Sequence, residues 1–309
     1  MFLPFEKWHG CSNDFVVIWL AASDGELVAN SLKRQAPRLC NRHTGIGADG
    51  LLILLTQHRN DLTPYGLVII NSDGSIAKTC GNGLRCAASS VRKRHLEHGN
   101  PHELPEMVEL LVEGESLLCR FLPGSLAQPL VVVDMGTPTM NSDVPWFAAA
   151  KAACATLIPA AEAPTNIGVC TIGNPHIVLT SDEASREQLL RFGPALQQMP
   201  LSDGVNVHLV RAREVTAPDQ ARAGLEIGHK LGEIYEAFVW ERGAGETMAC
   251  GSGACAIGAL ALDSGLLERS AWVGIDMPGG RLYVHQDEAG GSVQLAGPAA
   301  FCYSGQAEV

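Results

Sequence analysis

Hydrophobic positions along this chain fall mostly into short apolar runs of the length of buried strands. The clearest strand-like segments are LLILL (51–55), YGLVII (65–70), PLVVVDMG (129–136), VNVHLVRA (205–212) and YEAFVWERG (235–243). Helical spacing is less frequent and is clearest in ELVANSLKRQAPRLC (26–40), RCAASSVRKRHLEHG (85–99) and ACAIGALALDSG (254–265). Pro37 is expected to end or kink the first of these helices. The pattern predicts a mixed α+β protein.

A repeated segment indicates how the chain is organised. Residues 66–90 and 237–260 follow the same plan of strand, glycine-bearing loop, Cys-Gly-x-Gly and helix. Their cysteines, Cys80 and Cys250, lie 170 residues apart (250 minus 80), much further than the roughly 20 to 50 residues of a solenoid repeat. The repeat therefore predicts two similar α/β halves. The segment GSLAQP (124–129) places their boundary near residue 130, which gives halves of 1–130 and 131–297.

The composition narrows the class of protein. A chain of 309 residues, 46% of them hydrophobic and 18% charged, can bury a core without disulfides. The net charge of -11 argues against a nucleic-acid partner, because affinity for phosphates comes from Lys and Arg. The chain has no leader-like start and no run of about 18 apolar residues. We therefore expect a cytoplasmic protein without a membrane partner, with its ten cysteines present as reduced thiols.

The two Cys-Gly-x-Gly turns carry the candidate chemistry. A thiol at a helix N-terminus lies beside unpaired backbone N–H groups and the positive end of the helix dipole. We expect its pKa to fall below the free value of about 8.5. The glycines leave room for a carboxylate against the same N–H groups. If the two turns face one another, one thiol can remove a proton from the carbon beside that carboxylate and the other can return it to the opposite face. That is the chemistry of a racemase.

A single turn of this kind is more simply explained as a buried cysteine in a glycine turn. The presence of the same plan in both halves favours reactive thiols at Cys80 and Cys250. The other cysteines are interpreted as structural, and they are Cys11, Cys40, Cys86, Cys119, Cys154, Cys170, Cys255 and Cys302.

Six separated motifs resemble those of the diaminopimelate epimerases. They are SNDF (12–15), NSDGS (71–75), CGNGLRC (80–86), GNPH (173–176), GVNV (204–207) and ERGAGETMACGSGAC (241–255). The resemblance runs the length of the chain. It implies two pseudo-symmetric α/β domains, each a curled mixed sheet around a central helix, with the last strand (about 298–309) returning to the first domain. It also implies interconversion of LL- and meso-2,6-diaminopimelate without pyridoxal phosphate, another cofactor or a metal, in a route to lysine and peptidoglycan.

The resemblance also implies roles for individual residues. Cys80 and Cys250 match two acid/base cysteines, and His176 and Glu241 match positions that tune the two thiols. The implied substrate-binding residues are Asn13, Asn71, Gly81, Asn82, Asn174, Asn206, Glu241, Arg242, Gly251 and Ser252. This set suits a small-molecule amino acid with a second charged end, because a guanidinium can bind a carboxylate through two hydrogen bonds while amide and carboxylate oxygens accept from an ammonium. The resemblance further implies a homodimer, with Tyr303 at the dimer contact.

The chain departs from the family pattern at several positions. Many members have a glycine where this chain has Cys11 or Ser12, and many have Gln where it has Gly50. The segment 217–233 is additional and is interpreted as a surface excursion between two strands. Because of these departures, a two-cysteine racemase of another amino acid, such as proline or histidine, remains an alternative. The residues implied to bind the second charged end of the substrate argue against this alternative, and they are Asn71, Asn174, Asn206 and Arg242.

Two hypotheses from other classes are weaker. A zinc site would use Cys80, Cys86, Cys250 and Cys255. The first pair has five intervening residues, outside the usual two to four, and the following helix would carry the second cysteine of each pair away from the first. The segment GIGADG (45–50) is similar to a dinucleotide fingerprint, but it precedes a strand instead of following one.

Overall fold

The computed structural model describes residues 2–58, 60–64, 66–77, 80–99, 103–122, 130–199, 204–265, 267–268, 270–287 and 290–309, with only the backbone described for 24–27. Tyr65 of the second strand-like run and the boundary segment GSLAQP (124–129) lie outside these residues. The chain divides into two compact units, which are residues 1–133 with 297–309 (unit 1) and residues 134–296 (unit 2).

Unit 1 is built from nine strands and two helices among the described residues. They are β1 (Phe2–Gly10), β2 (Asn13–Ala21), α1 (Gly25–Leu39), β3 (Gly50–Thr56), β4 (Gly66–Asn71), β5 (Ile76–Ala77), α2 (Gly81–His98), β6 (Met107–Val112), β7 (Glu115–Phe121), β8 (Val131–Asp134) and β18 (Ala300–Glu308). Six strands form a sheet of order β18-β1-β2-β3-β4-β5, in which only β2 and β3 are parallel. Strands β6, β7 and β8 pair in antiparallel order. Helix α2 contacts β1 and β2 as well as β6 and β7, so the strands curl around it.

The continuous apolar run of β3 reflects burial on both faces of the strand. Leu51 and Ile53 join a core that includes Leu32 of α1. Leu52 points the opposite way, as alternation along a strand requires, and lies against Gly83 of α2. A strand covered by helices on both faces has no solvent-facing positions for polar side chains.

Unit 2 contains nine strands and four helices among the described residues. They are β9 (Thr139–Met140), α3 (Phe147–Leu157), β10 (Asn166–Ile172), β11 (Asn174–Thr180), α4 (Arg186–Gln197), β12 (Asn206–Arg213), α5 (Ala217–Glu226), β13 (Leu231–Glu241), β14 (Gly245–Thr247), α6 (Gly251–Asp263), β15 (Trp272–Met277), β16 (Gly280–His285) and β17 (Gln294–Gly297). The strand order is β17-β16-β15-β13-β12-β11-β10-β9, with β14 beside β13. The pairs β11–β12 and β13–β15 are parallel.

Helix α6 is the central helix of unit 2. It is apolar around its circumference and buried along most of its length, which is typical of a helix enclosed by other elements. It contacts β10 and β11 as well as β15 and β16, so the sheet curls around it. The opposite face of the sheet is covered by α4, whose Leu189, Phe192 and Leu196 pack with Val207 and Leu209 of β12.

The two units share a connectivity. In each, an antiparallel pair is followed by a parallel step and then an antiparallel step, through β1-β2-β3-β4 in unit 1 and β10-β11-β12-β13 in unit 2. In each, the central helix follows shortly after the fourth strand and begins at a Cys-Gly-x-Gly sequence. The predicted α+β class, with each mixed sheet curled around a central helix, is confirmed.

One of the two effects expected of Pro37 is corrected, namely that it ends the helix. Helix α1 runs through Pro37 to Leu39, so the proline does not end it. The residue lies in the last turn of the helix, where its missing N–H removes only one of the final intrahelical hydrogen bonds.

The additional segment 217–233 lies between β12 and β13, as expected, but most of it forms α5. Thr216 and Asp219 cap this helix reciprocally. Asp219 also pairs with Arg213 at 2.8 Å and with Arg281 at 2.9 Å, both on strands of the sheet. These contacts anchor the excursion to the sheet.

No helix in the described part of the chain combines the length and hydropathy needed to cross a bilayer.

Candidate active site

Cys80 and Cys250 each occupy the position immediately before a helix. Cys80 caps α2 with φ -150° and ψ 100°, and Cys250 caps α6 with φ -130° and ψ 113°. The Cys80 Sγ accepts a hydrogen bond from the Gly83 N–H at 3.4 Å, and the Cys250 Sγ accepts one from the Gly253 N–H at 3.3 Å. The sequence repeat therefore corresponds to a repeated local geometry, with each sulfur held over the first turn of its helix.

Both turns leave backbone donors for an anion. The first N–H groups of a helix have no intrahelical acceptor. In each turn the third N–H is taken by the cysteine sulfur, which leaves the first two for a ligand. These donors belong to Gly81 and Asn82 in unit 1 and to Gly251 and Ser252 in unit 2. Their number and their place at the positive end of the helix dipole suit a carboxylate.

The Cys80 turn is supported by a hydrogen-bonded chain of amides. The Asn82 Nδ2 donates to the Asn13 Oδ1 at 3.0 Å, and the Asn13 Nδ2 donates to the Asp49 Oδ2 at 2.7 Å. Behind them lies the fully buried Arg85, which donates to the Asn82 Oδ1 at 2.7 Å and to the carbonyls of Gly81 and Pro298. The structure brings the predicted residues Asn13 and Asn82 together. The sequence analysis missed Arg85 and Asp49, although a charged residue amid the apolar start of α2 could have drawn attention to Arg85.

Asp14, next to Asn13, ties this region to two basic residues. It accepts from Lys7 at 2.6 Å and from both terminal nitrogens of Arg42, which also binds Asp49 at 2.7 Å. Burial alone would raise the pKa of Asp14, but the hydrogen bonds from Arg42 and Lys7 outweigh it and lower the pKa to about 2. The carboxylate therefore stays ionised beside Asn13 at neutral pH.

Asn71 lies at the end of β4, opposite Gly50 of β3. Its amide nitrogen donates to the Ser75 Oγ at 2.9 Å within an exposed turn. A Cβ atom at Gly50 would lie 2.6 Å from the carbonyl oxygen of Ile70, so this backbone has no room for the Gln that many family members carry.

Cys11 and Ser12, the other departures, have φ angles of 53° and 65°. This left-handed conformation favours glycine, which explains why a glycine suits these positions in relatives.

Cys250 lies in a more enclosed setting than Cys80, being buried where Cys80 is partly exposed. Burial raises the pKa of the Cys250 thiol well above its ordinary value, and the negative charge of Glu241 raises it further. The hydrogen bonds from Ser252 and Gly253 act in the opposite direction and are weaker. The expectation that the helix N-terminus lowers the pKa of this cysteine is therefore wrong, because desolvation and a neighbouring carboxylate oppose it. Cys250 is a protonated thiol at neutral pH.

Glu241 and the polar residues near it form one group. The Thr247 Oγ1 donates to the Glu241 Oε1 at 2.6 Å. The Glu241 carboxylate is also hydrogen-bonded to the Cys250 thiol. The backbone N–H of Arg242 donates to the Asn206 Oδ1 at 2.9 Å, and its guanidinium donates to the Asn174 Oδ1 at 2.9 Å. Strands β11 and β12 and the end of β13 thus bring together four predicted residues, Asn174, Asn206, Glu241 and Arg242.

His176 of β11 is fully buried and forms a pair with His208 of β12, a residue outside every predicted motif. The His176 Nδ1 and the His208 Nε2 lie 2.8 Å apart, and the two rings stack with centroids 5.1 Å apart. Burial lowers the pKa of His208 to about 3. Burial, together with His208 and the positive charge of Arg242, holds the pKa of His176 well below its usual range. Both imidazoles are therefore neutral.

Tyr303, predicted as a dimer contact, is exposed on β18 at the edge of the unit 1 sheet. Its ring packs edge-on against Phe5 with centroids 6.1 Å apart.

Within the residues that the structure describes, no three His, Cys, Asp or Glu side chains are placed so that they could hold a metal ion.

Sequence comparisons with known proteins agree on one family. The model of the family described as diaminopimelate epimerase matches residues 5–140 and 168–302. The diaminopimelate epimerase of Pseudomonas syringae pv. syringae (strain B728a) is 34% identical over 308 residues, covering 99% of each chain. That of Carboxydothermus hydrogenoformans is 32% identical over 317 residues, covering 98% of this chain and 99% of its own.

Among solved structures, a phenazine biosynthesis protein of the PhzF family from Bacillus anthracis has a TM-score of 0.70 at 11% identity, with all of both chains covered. A predicted epimerase from Pseudomonas aeruginosa has a TM-score of 0.66 at 16% identity, with 99% of both chains covered. At these identities the two structures show a shared fold.

Proposed function

Because the chain belongs to the diaminopimelate epimerase family and is an isomerase, we propose that it interconverts LL- and meso-2,6-diaminopimelate by a two-cysteine proton transfer. One thiolate removes the α-proton from one face of the carbon, and the other cysteine supplies a proton from the opposite face. In the reverse direction the roles exchange. The reaction needs neither pyridoxal phosphate nor a metal, and each unit is one half of the epimerase.

The observation that carries this proposal is the repeated placement of Cys80 and Cys250. Each sulfur lies over a helix N-terminus whose first N–H groups can hold a carboxylate. The same donors stabilise the negative charge that builds on that carboxylate when the neighbouring carbon loses its proton. A carboxylate donor pair and an acid/base group in each turn are the parts that racemisation without a cofactor requires.

The surroundings of Cys250 support its role as the proton donor in one direction. Its thiol is protonated at neutral pH, so it can deliver a proton at once. In the other direction the proton must leave, and Glu241 is hydrogen-bonded to the thiol and can receive it. The proposal that His176 also lies beside a thiol and tunes it comes from the family resemblance.

The polar set around Arg242 supports a substrate with a second amino acid group. Its guanidinium is oriented by Asn174 and its backbone by Asn206, so it is held ready for a carboxylate. Asn13 and Asn71 of unit 1 are proposed to complete the recognition of the substrate. An amino acid without a charged far end would leave Arg242 unused.

We also propose that the protein forms a homodimer through β18 and acts in the cytoplasm, in lysine biosynthesis. Support comes from the exposed aromatic residues Phe301 and Tyr303 on an edge strand, where exposed apolar surface commonly marks an interface. The variant Tyr303→Glu should elute as a monomer in size-exclusion chromatography if this strand is the contact. An unchanged elution volume contradicts the proposal.

The substrate is tested by a screen in heavy water with reduced protein. LL-diaminopimelate, meso-diaminopimelate, proline and histidine are incubated separately, and deuterium at the α-carbon is measured by mass spectrometry. We expect uptake with the two diaminopimelates alone. Turnover of proline or histidine without turnover of diaminopimelate establishes the alternative racemase instead.

A further inference from the structure

The fully buried Arg85 of α2 carries a positive charge that no carboxylate in the described part of the chain pairs with. Its guanidinium donates to three neutral oxygens instead. They are the Gly81 carbonyl at 3.2 Å, the Asn82 Oδ1 at 2.7 Å and the Pro298 carbonyl at 3.4 Å. An arginine stays ionised inside proteins, and a buried charge is costly unless an opposite charge pairs with it. The charge of Arg85 therefore requires a reason.

The thiols that interact with this charge do not balance it. Burial raises the pKa of the Cys119 thiol to about 12, and the charge of Arg85 opposes this only in part. Burial also raises the pKa of the Cys86 thiol far above its ordinary value, again against the charge of Arg85. Both thiols are therefore neutral at neutral pH.

The carboxylates that the amides of the turn link to Arg85 are already paired with other cations. Asp49 pairs with Arg42 at 2.7 Å. Asp14 pairs with Arg42 at 2.7 Å and with Lys7 at 2.6 Å. This hydrogen-bonded network thus contains three cations and two carboxylates, and one positive charge (3 minus 2) is in excess.

The guanidinium of Arg85 lies behind a backbone donor that the turn offers to an anion. It binds the Gly81 carbonyl, which belongs to the same planar peptide unit as the Asn82 N–H. A charged donor on the oxygen of a peptide polarises that unit and makes its N–H a stronger donor. Arg85 also binds the Asn82 side chain, so this residue is held at two points. Arg85 therefore both orients and strengthens the Asn82 N–H.

The packing around Arg85 keeps its charge effective at short range. A Cβ atom at Gly10 would lie 3.1 Å from the Arg85 Nη2, so the end of β1 closes over the guanidinium. A charge removed from water is screened less than one at the surface. The helix of the Cys250 turn has Cys255 at the equivalent position, so a buried arginine is not a requirement of the Cys-Gly-x-Gly fold itself.

Resting on the two-cysteine reaction proposed above, we infer that Arg85 is a positioning residue for the substrate carboxylate, which it binds through the Asn82 N–H and whose negative charge balances its own. The carboxylate gains negative charge when the α-carbon loses its proton. A fixed cation behind its donor therefore stabilises the transition state more than the bound substrate.

Backbone amide NMR of reduced, ¹⁵N-labelled protein tests the inference, with sodium acetate as the probe at constant ionic strength. Acetate presents a carboxylate without the rest of an amino acid, so its binding does not depend on epimerisation. We expect the Asn82 N–H signal and the Arg85 side-chain Nε–H signal of the wild type to shift with the same saturation curve. An Arg85 signal that stays unchanged while the Asn82 signal saturates overturns the inference.

Three variants separate the charge of Arg85 from its packing. Arg85→Gln removes the charge and keeps a donor, Arg85→Lys keeps the charge with fewer hydrogen bonds, and Arg92→Gln is the matched control at a partly exposed site of the same helix. At about pH 6 we expect acetate affinity to fall about tenfold in Arg85→Gln and to stay within about threefold of the wild type in Arg85→Lys. Arg92→Gln should bind as the wild type does. Equal affinity in Arg85→Gln and Arg85→Lys contradicts a role for the charge.

Kinetics with LL-diaminopimelate separate this inference from the proposed function. We expect kcat/KM to fall about 10²-fold in Arg85→Gln, with kcat as well as KM affected, and Arg85→Lys to recover most of this loss. If the wild type does not turn over diaminopimelate, the proposed function fails and the acetate titrations still decide the role of Arg85. If Arg85→Gln turns it over normally, the role of Arg85 fails while the cysteine mechanism stands.

Urea unfolding of each variant identifies losses that come from misfolding. If Arg85→Gln does not fold, the wild-type Nε–H titration and the affinity of Arg85→Lys decide the inference.

Discussion

Cys80 and Cys250 occupy equivalent places in two units of the same connectivity, and the residues that surround them differ. In unit 1, Val17 of β2 pairs with Leu52 of β3, and Leu52 lies against Gly83 of the central helix. In unit 2, Val178 of β11 pairs with His208 of β12, and His208 lies against Gly253. Two positions earlier, the pair Phe15–Gly50 corresponds to the pair His176–Asn206. The strands beneath Cys250 thus carry polar residues where those beneath Cys80 carry apolar ones or glycine.

The central helices show the reverse difference, because here the polar residue belongs to unit 1. Five residues after its cysteine, α2 has the buried Arg85, whereas α6 has Cys255. The polar support of the Cys80 turn therefore comes from Arg85 of its own helix together with Asn13 at the start of β2, whereas that of the Cys250 turn comes from the sheet. The comparison teaches that the motif sets the position of each thiol, while at Cys250 burial and Glu241 on another element set the protonation state.

The largest effect on stability is expected from replacing Arg85, the buried arginine that has no counterpart in unit 2. In Arg85→Met, three acceptors lose their donor, namely the Gly81 and Pro298 carbonyls and the Asn82 Oδ1. We expect a loss of about 3–4 kcal/mol in the free energy of unfolding, measured with urea. Arg92→Met, the same change on the same helix at a partly exposed site, should cost about 1 kcal/mol or less. Equal losses contradict the importance assigned to Arg85.

The glycines of the two turns should respond differently to a methyl group. In Gly253→Ala the new Cβ meets the rigid His208 ring at 2.2 Å, whereas in Gly83→Ala it meets the end of the Leu52 side chain at 3.1 Å. We expect a destabilisation of about 2–3 kcal/mol for the first and about 1 kcal/mol or less for the second. Unfolding curves of the two variants provide the measurement. Similar losses refute the difference in packing beneath the two turns.

The raised pKa of Cys250 should depend on Glu241. Replacing this carboxylate by Gln removes a negative charge that disfavours the thiolate, so the pKa falls and a larger fraction of the thiol ionises at a given pH. We expect several-fold faster alkylation of Cys250 by iodoacetamide in Glu241→Gln at mildly alkaline pH, followed by peptide mass spectrometry. Glu246→Gln, whose carboxylate pairs with Arg186, should leave the rate unchanged. Slower alkylation in Glu241→Gln contradicts the assigned direction.

The smallest effect is expected at the left-handed residues of unit 1. Ser12 is exposed at φ 65°, so Ser12→Gly relieves backbone strain and should stabilise the fold by about 0.5 kcal/mol. Cys11 has a similar φ, but its side chain is buried, and Cys11→Gly should destabilise the fold because it leaves a cavity. Thermal unfolding of both variants checks the sign. Stabilisation by both changes shows that strain outweighs burial at Cys11.

Much of the fold could be predicted from the sequence, because the repeated strand, turn and helix pattern is local. The apolar run 51–55 and the fully apolar helix after Cys250 both reflect burial on all sides, which a sequence pattern can show. Helix α5 was missed although its capping pair, Thr216 and Asp219, is a local signal. Of its two anchors, Arg213 is near in sequence and only Arg281 lies on a distant strand.

The positions of the candidate site were better predicted than its electrostatics. The motifs identified Cys250 and Glu241, and local reasoning about helix dipoles then gave the wrong direction for the pKa of the thiol. Burial and a carboxylate from β13 decide it, and neither can be derived from a Cys-Gly-x-Gly sequence. His208 was missed for a similar reason, since its partner lies 32 residues away on another strand.

The central claim is that both cysteines take part in one proton transfer, and it is tested most directly by solvent exchange with cysteine variants. Reduced wild-type protein, Cys80→Ala, Cys250→Ala and the double variant are each incubated with LL-diaminopimelate in heavy water. We predict one deuterium at the α-carbon of each meso product for the wild type, and a loss of epimerisation of about 10²- to 10⁴-fold in each single variant. Deuterium uptake by the double variant at the wild-type rate would contradict the account.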